Sequence, residues 1–68
     1  MINVELLKTK MEQNNVSVTD VADAIETDRS TFYRKLSRVN SSFSVEQAKR
    51  ISDLLHLTSA EFTAIFFA

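Results

Sequence analysis

Arg29, Ser30, Tyr33 and Arg34 are spaced so that an α-helix would gather all four along one edge. Two guanidinium forks, a hydroxyl and a phenol are groups that read the edges of base pairs, because an arginine fork matches the O6 and N7 acceptors of guanine. Arg38, Lys49 and Arg50 would serve as counter-charges for phosphates, with the hydroxyls of Ser17 and Thr31 as hydrogen-bonding partners of the same backbone. Tyr33 has a second reading as a half-buried core residue. Between positions 29 and 50 six cations face a single carboxylate, Glu46, while the remainder of the chain carries two lysines against eight carboxylates. The net charge of −1 therefore conceals a predicted electropositive face on an acidic body, an arrangement that orients an approaching polyanion.

Other chemistries lack their raw materials. The chain has no Cys and one His, His56, so neither a disulfide framework nor the common zinc-site spacings can be written, and a reducing, cytoplasmic setting is expected. It also has no Gly, which removes the phosphate-binding loops whose backbone must approach a nucleotide closely. Ser, Asp and Glu are numerous, yet no nucleophile, base and orienting group form a set. The expectation is a protein that is not an enzyme and takes no cofactor or metal. His56 reads as a solvated residue at a helix end. No uncharged stretch approaches the ~18 residues of a membrane span, so no membrane partner is expected.

The elements that would position these groups are helices. With 68 residues, 44% of them apolar and 25% charged, the chain supports one small domain over 1–68 and leaves no room for two. Gly and Pro are both absent, so helix ends must be marked by capping side chains and by Asn. Ser17, Asp28, Ser44 and Thr58 each precede an apolar-periodic stretch, where a side-chain oxygen accepts from the first free N–H groups of a helix. Gln47 and Glu61 complete capping-box spacing after Ser44 and Thr58. Val16 with Val21, Phe43 with Ala48, and Leu57 with Phe62 have the spacing of hydrophobic staples.

Five helices follow from these marks. The first runs from about Asn3 to Gln13, with Val4, Leu7 and Met11 inward, and ends at Asn14-Asn15 through a left-handed Asn. Val18 to Ile25 makes a short second helix that packs Val21, Ala22 and Ile25, and Arg29 to about Ser37 a third that buries Phe32 and Leu36. Val45, Ala48, Ile51, Ser52 and Leu55 trace the inner face of a fourth, while Phe62, Ile65 and Phe66 lie on a fifth beginning at Ser59. No stretch alternates as a strand would.

Two short helices joined by about three residues form the kind of corner that presents its second helix to DNA. The stretch from Val16 to Ile25, followed by Asp28 to Leu36, resembles the helix-turn-helix of the lambda-repressor-like, Cro-type family. Ala22 stands at that family's small contact position, and Val21, Ile25 and Phe32 at its core positions. Phe43 to Ala48 and Leu57 to Phe62, ending Ile65-Phe66-Phe67, are similar to the later part of its small phage regulators, so the resemblance covers nearly the whole chain. It implies an all-α, compact five-helix domain acting as a sequence-specific DNA-binding transcriptional regulator, a Cro-like phage repressor. Helix 29–37 would enter the major groove of double-stranded operator DNA, with a homodimer on a pseudo-palindromic site. Two departures qualify the match. Glu26 holds the corner position normally given to Gly, with Thr27 next where Val is frequent, so either Glu26 is left-handed or the corner has another geometry. Lys35 stands where many members are aliphatic, with Leu36 one residue later, which leaves the inner face of the third helix open by one residue.

Phe62, Ile65, Phe66 and Phe67 exceed what one narrow helix face readily buries, which offers Ile65, Phe66 and Phe67 either to the monomer core or to a second protomer. A rival function keeps the fold and changes the partner: a protein-interaction module, an antirepressor or modulator, that binds a phage repressor. The sequence pI near 5.7 favours the rival, and the clustered cations oppose it.

Overall fold

The computed structural model describes residues 2–37 and 43–67. It places five helices in the order α1 (Val4–Gln13), α2 (Val18–Ala24), α3 (Arg29–Ser37), α4 (Val45–Leu55) and α5 (Ser59–Phe66), with no strand among the described residues. Each start is set by a side chain that satisfies helix N–H groups left without an intrahelical acceptor. Asn3 Oδ1 accepts from the Leu6 N–H at 3.1 Å, and Asp28 Oδ1 accepts from the Thr31 N–H at 2.7 Å. Ser44 with Gln47 and Thr58 with Glu61 form reciprocal capping boxes. Ser17 forms a third with Asp20, whose shorter carboxylate still reaches the Ser17 N–H at 3.0 Å. That hydrogen bond is the main reason the Asp20 carboxyl is held below the usual carboxylate range.

Helices α1, α2 and α4 share one way of ending. Asn15, Glu26 and His56 have φ of 54°, 57° and 54°, the left-handed region that costs a residue with a Cβ roughly 1 kcal/mol or more. After each, the next N–H donates to a carbonyl five residues back: Val16 to Met11 at 2.9 Å, Thr27 to Ala22 at 2.9 Å and Leu57 to Ser52 at 3.0 Å. These closures satisfy carbonyls the helices would otherwise leave open, and each turns an apolar or half-buried residue back toward the core. Of the two geometries open for the α2–α3 corner, the structure has the left-handed one at Glu26.

The core is built from Leu7 and Met11 of α1, Val21, Ala22 and Ile25 at α2, Phe32 of α3, Ile51 and Leu55 of α4, and Ile65 of α5. Helix α2 packs on both α3 and α4, and α1 packs on α5. The Asn3 N–H donates to the Ile65 carbonyl at 2.8 Å, and Lys10 pairs with Glu61, so α1 and α5 are joined by backbone and by charge. Phe32 is fully enclosed, and burying a ring of that size contributes on the order of 1.5–3 kcal/mol. With Phe32 inward and Leu36 packed beside it, the register of α3 is set. Lys35 is half-buried and lays its Nζ 5.6 Å from the centre of the Phe43 ring.

One expectation about the core changes, and one open alternative closes. Val45 is 82% exposed, so the inner face of α4 is Ala48, Ile51 and Leu55 with Ser52 half-buried beside them. At 3.6 residues per turn Val45 lies about a third of a turn away from Ile51, on the flank that also carries Lys49. Ile65, offered either to the monomer core or to a second protomer, is fully buried within the monomer. Phe66 is half-buried, edge-on to Phe43 with ring centres 6.1 Å apart, and Phe67 is 72% exposed against Phe62. Among the described residues no helix is long and apolar enough to cross a membrane.

Candidate functional site

Because Phe32 anchors the inner side of α3, the residues around it are turned outward. Arg29, Ser30 and Arg34 are exposed, and Tyr33 is 46% exposed with its ring 6.2 Å from that of Phe32. Arg29, Ser30 and Tyr33 line one open cleft of about 520 Å³, whose other wall is the outer side of α2 and whose floor is the corner at Thr27 and Asp28. Arg34, one residue beyond Tyr33 on α3, is exposed, and its Nη2 donates to Thr31 Oγ1 at 3.2 Å. The structure therefore gathers three of the four expected base-reading residues around one cleft, and Arg34 is not among its lining residues.

Charge in the cleft is mixed. The Asp28 carboxyl is held below the usual carboxylate range, first by accepting from the Thr31 backbone N–H, then from its hydroxyl, with the Arg34 charge adding to the effect. Asp23 and Thr19 form part of the opposite wall. Their four-residue spacing on α2, away from Val21 and Ile25, is the sequence signal that marks them as neighbours on its outer side. Among the described residues, neither Arg29 nor Arg34 is ion-paired to a carboxylate.

Tyr33 is exposed and is not the half-buried core residue of its second reading. Its ring leans on buried Phe32, and it divides the cleft from a second groove of about 270 Å³ against α1, where Ser17 and Lys8 reach the rim. Ser17 Oγ is engaged as the α2 cap, accepting from the Asp20 N–H at 3.1 Å, and Thr31 is half-buried with its N–H committed to Asp28.

Of the cations expected at phosphates, Lys49 and Arg50 face different grooves. Arg50 reaches back from α4 to the α2–α3 corner, where Nη1 is 3.3 Å from the Ala24 carbonyl and 3.5 Å from Glu26 Oε1, while Nη2 meets Glu46 Oε1 at 2.9 Å. Those carboxylates, Glu46 first, raise the Arg50 pKa above its ordinary value. Lys49 lines a groove between α4 and α5 that shares no residue with the α2–α3 cleft. Arg38 lies outside the described residues. Among the described residues no three His, Asp or Glu side chains converge as a metal-holding group.

Set against known protein families, curated proteins and solved structures, the chain matches none.

Proposed function

We propose that this chain is a sequence-specific DNA-binding regulator in which α2 and α3 act as a helix-turn-helix and α3 enters the major groove. The observation that carries the reading is the outward edge of α3: Arg29, Ser30, Tyr33 and Arg34 are exposed together, and neither arginine is ion-paired to a carboxylate among the described residues. A helix fits the major groove, and residues near its N-terminus meet base edges while cations hold the flanking phosphates. In this reading Arg29 and Arg34 bind guanine, Ser30 and Tyr33 add hydrogen bonds or methyl contact, and Ser17 and Thr31 meet the backbone. Asp23 and Asp28 in the same cleft support a second reading, in which the cleft receives a basic or mixed-charge segment of a partner repressor.

Anisotropy titration separates the two. DNA flanking the chain's own gene should bind about a thousandfold or more tighter than scrambled duplex of the same composition. Arg34→Ala should cost about 1–3 kcal/mol on the cognate site and relax specificity at one position. Equal affinity for cognate and scrambled DNA, or binding only when the neighbouring repressor is added, would transfer the function to the partner-binding reading.

A further inference from the structure

Phe43 stands immediately before Ser44, the cap of α4, and its ring meets two other helices. Its centre lies 5.9 Å from that of Phe32 on α3 and 6.1 Å from that of Phe66 on α5, and the Lys35 Nζ of α3 stands over it at 5.6 Å. Phe32 and Lys35 are three residues apart, so Phe43 touches α3 at two points on one face. In turn Phe66 meets the Phe43 ring edge-on, at an interplanar angle of 88°. Phe32 and Leu36 decide which side of α3 faces inward, but apolar contact has no direction of its own and leaves a helix free to rock about its long axis. An ammonium over the face of a ring is directional, and it is lost when the helix turns away.

We infer that Lys35 and Phe43 are positioning residues: the ammonium over the ring sets the rotation of α3 about its axis, and so the direction in which Arg29, Ser30, Tyr33 and Arg34 project. At 3.6 residues per turn Lys35 lies about a sixth of a turn to one side of Phe32, and Tyr33 about a quarter of a turn to the other. A rotation that carried Lys35 off the ring would therefore swing the whole outward edge of α3 through the same angle. This gives a physical use to the lysine at a position where an aliphatic residue is the usual partner of a core. Its half-buried stem packs, and its charge adds the direction that an aliphatic side chain lacks. Lys35 thus belongs to the cationic run in the sequence but acts on α3 rather than on a phosphate. The consequence for DNA rests on the reading of α3 as the recognition helix; the rotation itself does not.

NMR of the full chain without DNA tests the rotation. In the parent the Lys35 ε-methylene protons should lie upfield of the ordinary lysine position, shifted by the ring current of Phe43. Lys35→Met and Phe43→Leu, with helix content checked by far-UV circular dichroism, should each move the backbone amide resonances of Arg29 and Ser30, which lie more than a turn from Lys35. Lys35→Arg keeps a cation over the ring and should leave them in place. An unshifted methylene, or amides unmoved in both variants, would overturn the inference whatever the chain binds. Anisotropy titration tests the consequence. Each of the two variants should weaken cognate DNA binding by about fivefold or more, the loss expected when one bidentate arginine–base contact is put out of line, and scrambled duplex by about twofold or less. The salt slope should hold, and the double variant should lose no more than the worse single one, because both remove the same contact. Lys35→Met that weakens both duplexes alike and lowers the salt slope by about 1, with Phe43→Leu silent, would make Lys35 a phosphate contact and reject its positioning role. A parent with no preference for cognate DNA would remove the DNA reading, and the amide shifts would then decide the rotation alone.

Discussion

The arginines of α3 and the arginine of α4 belong to one cationic run in the sequence and to two different electrostatic situations in the fold. Arg29 and Arg34 extend from an exposed edge without a carboxylate ion pair among the described residues, whereas Arg50 is bound by Glu46, Glu26 and the Ala24 carbonyl. A run of positive residues is therefore not a positive surface. Glu46 and Glu26 pair the α4 arginine within the chain, whereas the α3 arginines have no such pair among the described residues. Arg50 meets the corner from which α3 departs, so a charge that looks like a ligand contact is engaged within the protein.

The sharpest way to break this contrast is to move the charges themselves. Reversing both Arg29 and Arg34 to Glu should lower affinity for cognate DNA by about a hundredfold or more, while Arg50→Gln should change it by about twofold or less and leave the salt slope unaltered. Equal losses, measured by anisotropy at one salt concentration, would show that the two regions do not differ. A smaller effect is expected at the corner. Glu26→Gly removes the Cβ from a residue at φ 57° and should stabilise the fold by about 0.5–1 kcal/mol in urea denaturation. A loss of stability would mean that the bridge to Arg50 outweighs the backbone strain.

The smallest effect concerns the α3 start. Hydrogen bonds from Thr31 lower the Asp28 pKa in the fold, so its contribution is fully present above the ordinary carboxylate range and is lost as pH falls through the depressed value. Asp28→Asn keeps a capping oxygen and removes the titration. An acid titration followed by circular dichroism should show a gap in stability between parent and variant near neutral pH that closes as acid is added. A constant gap would assign the effect to capping geometry alone.

What the sequence reveals here depends on how local the cause is. The caps at Ser44 and Thr58 and the left-handed Asn15 are legible because each is decided within a few residues. The Ser17 box is less legible, since Asp20 takes a part usually given to the longer Glu or Gln. Phe32 and Leu36 fit helical periodicity, but Lys35 beside Leu36 leaves the face open by one residue until packing sets it. Val45, by contrast, fits an apolar stripe in one direction and a solvent-facing flank in the other, and only the packing of α4 on α2 decides between them. Arg50 and Glu26 are far apart in the chain, so no reading of neighbours could show that one steadies the other. Counting charges along the sequence likewise merged two helix faces that the fold separates. The helix-turn-helix and DNA reading rests on the exposed edge of α3 and on the resemblance of residues 16–36.

A chain of 68 residues with no glycine turns three tight corners on Asn15, Glu26 and His56. Glycine would relax each bend, yet it would also widen the range of shapes open to the denatured polymer. Side chains at those bends make the random coil stiffer and so reduce the disorder that must be surrendered during collapse. For a polypeptide this short, a restricted starting ensemble partly offsets the discomfort of the finished bends.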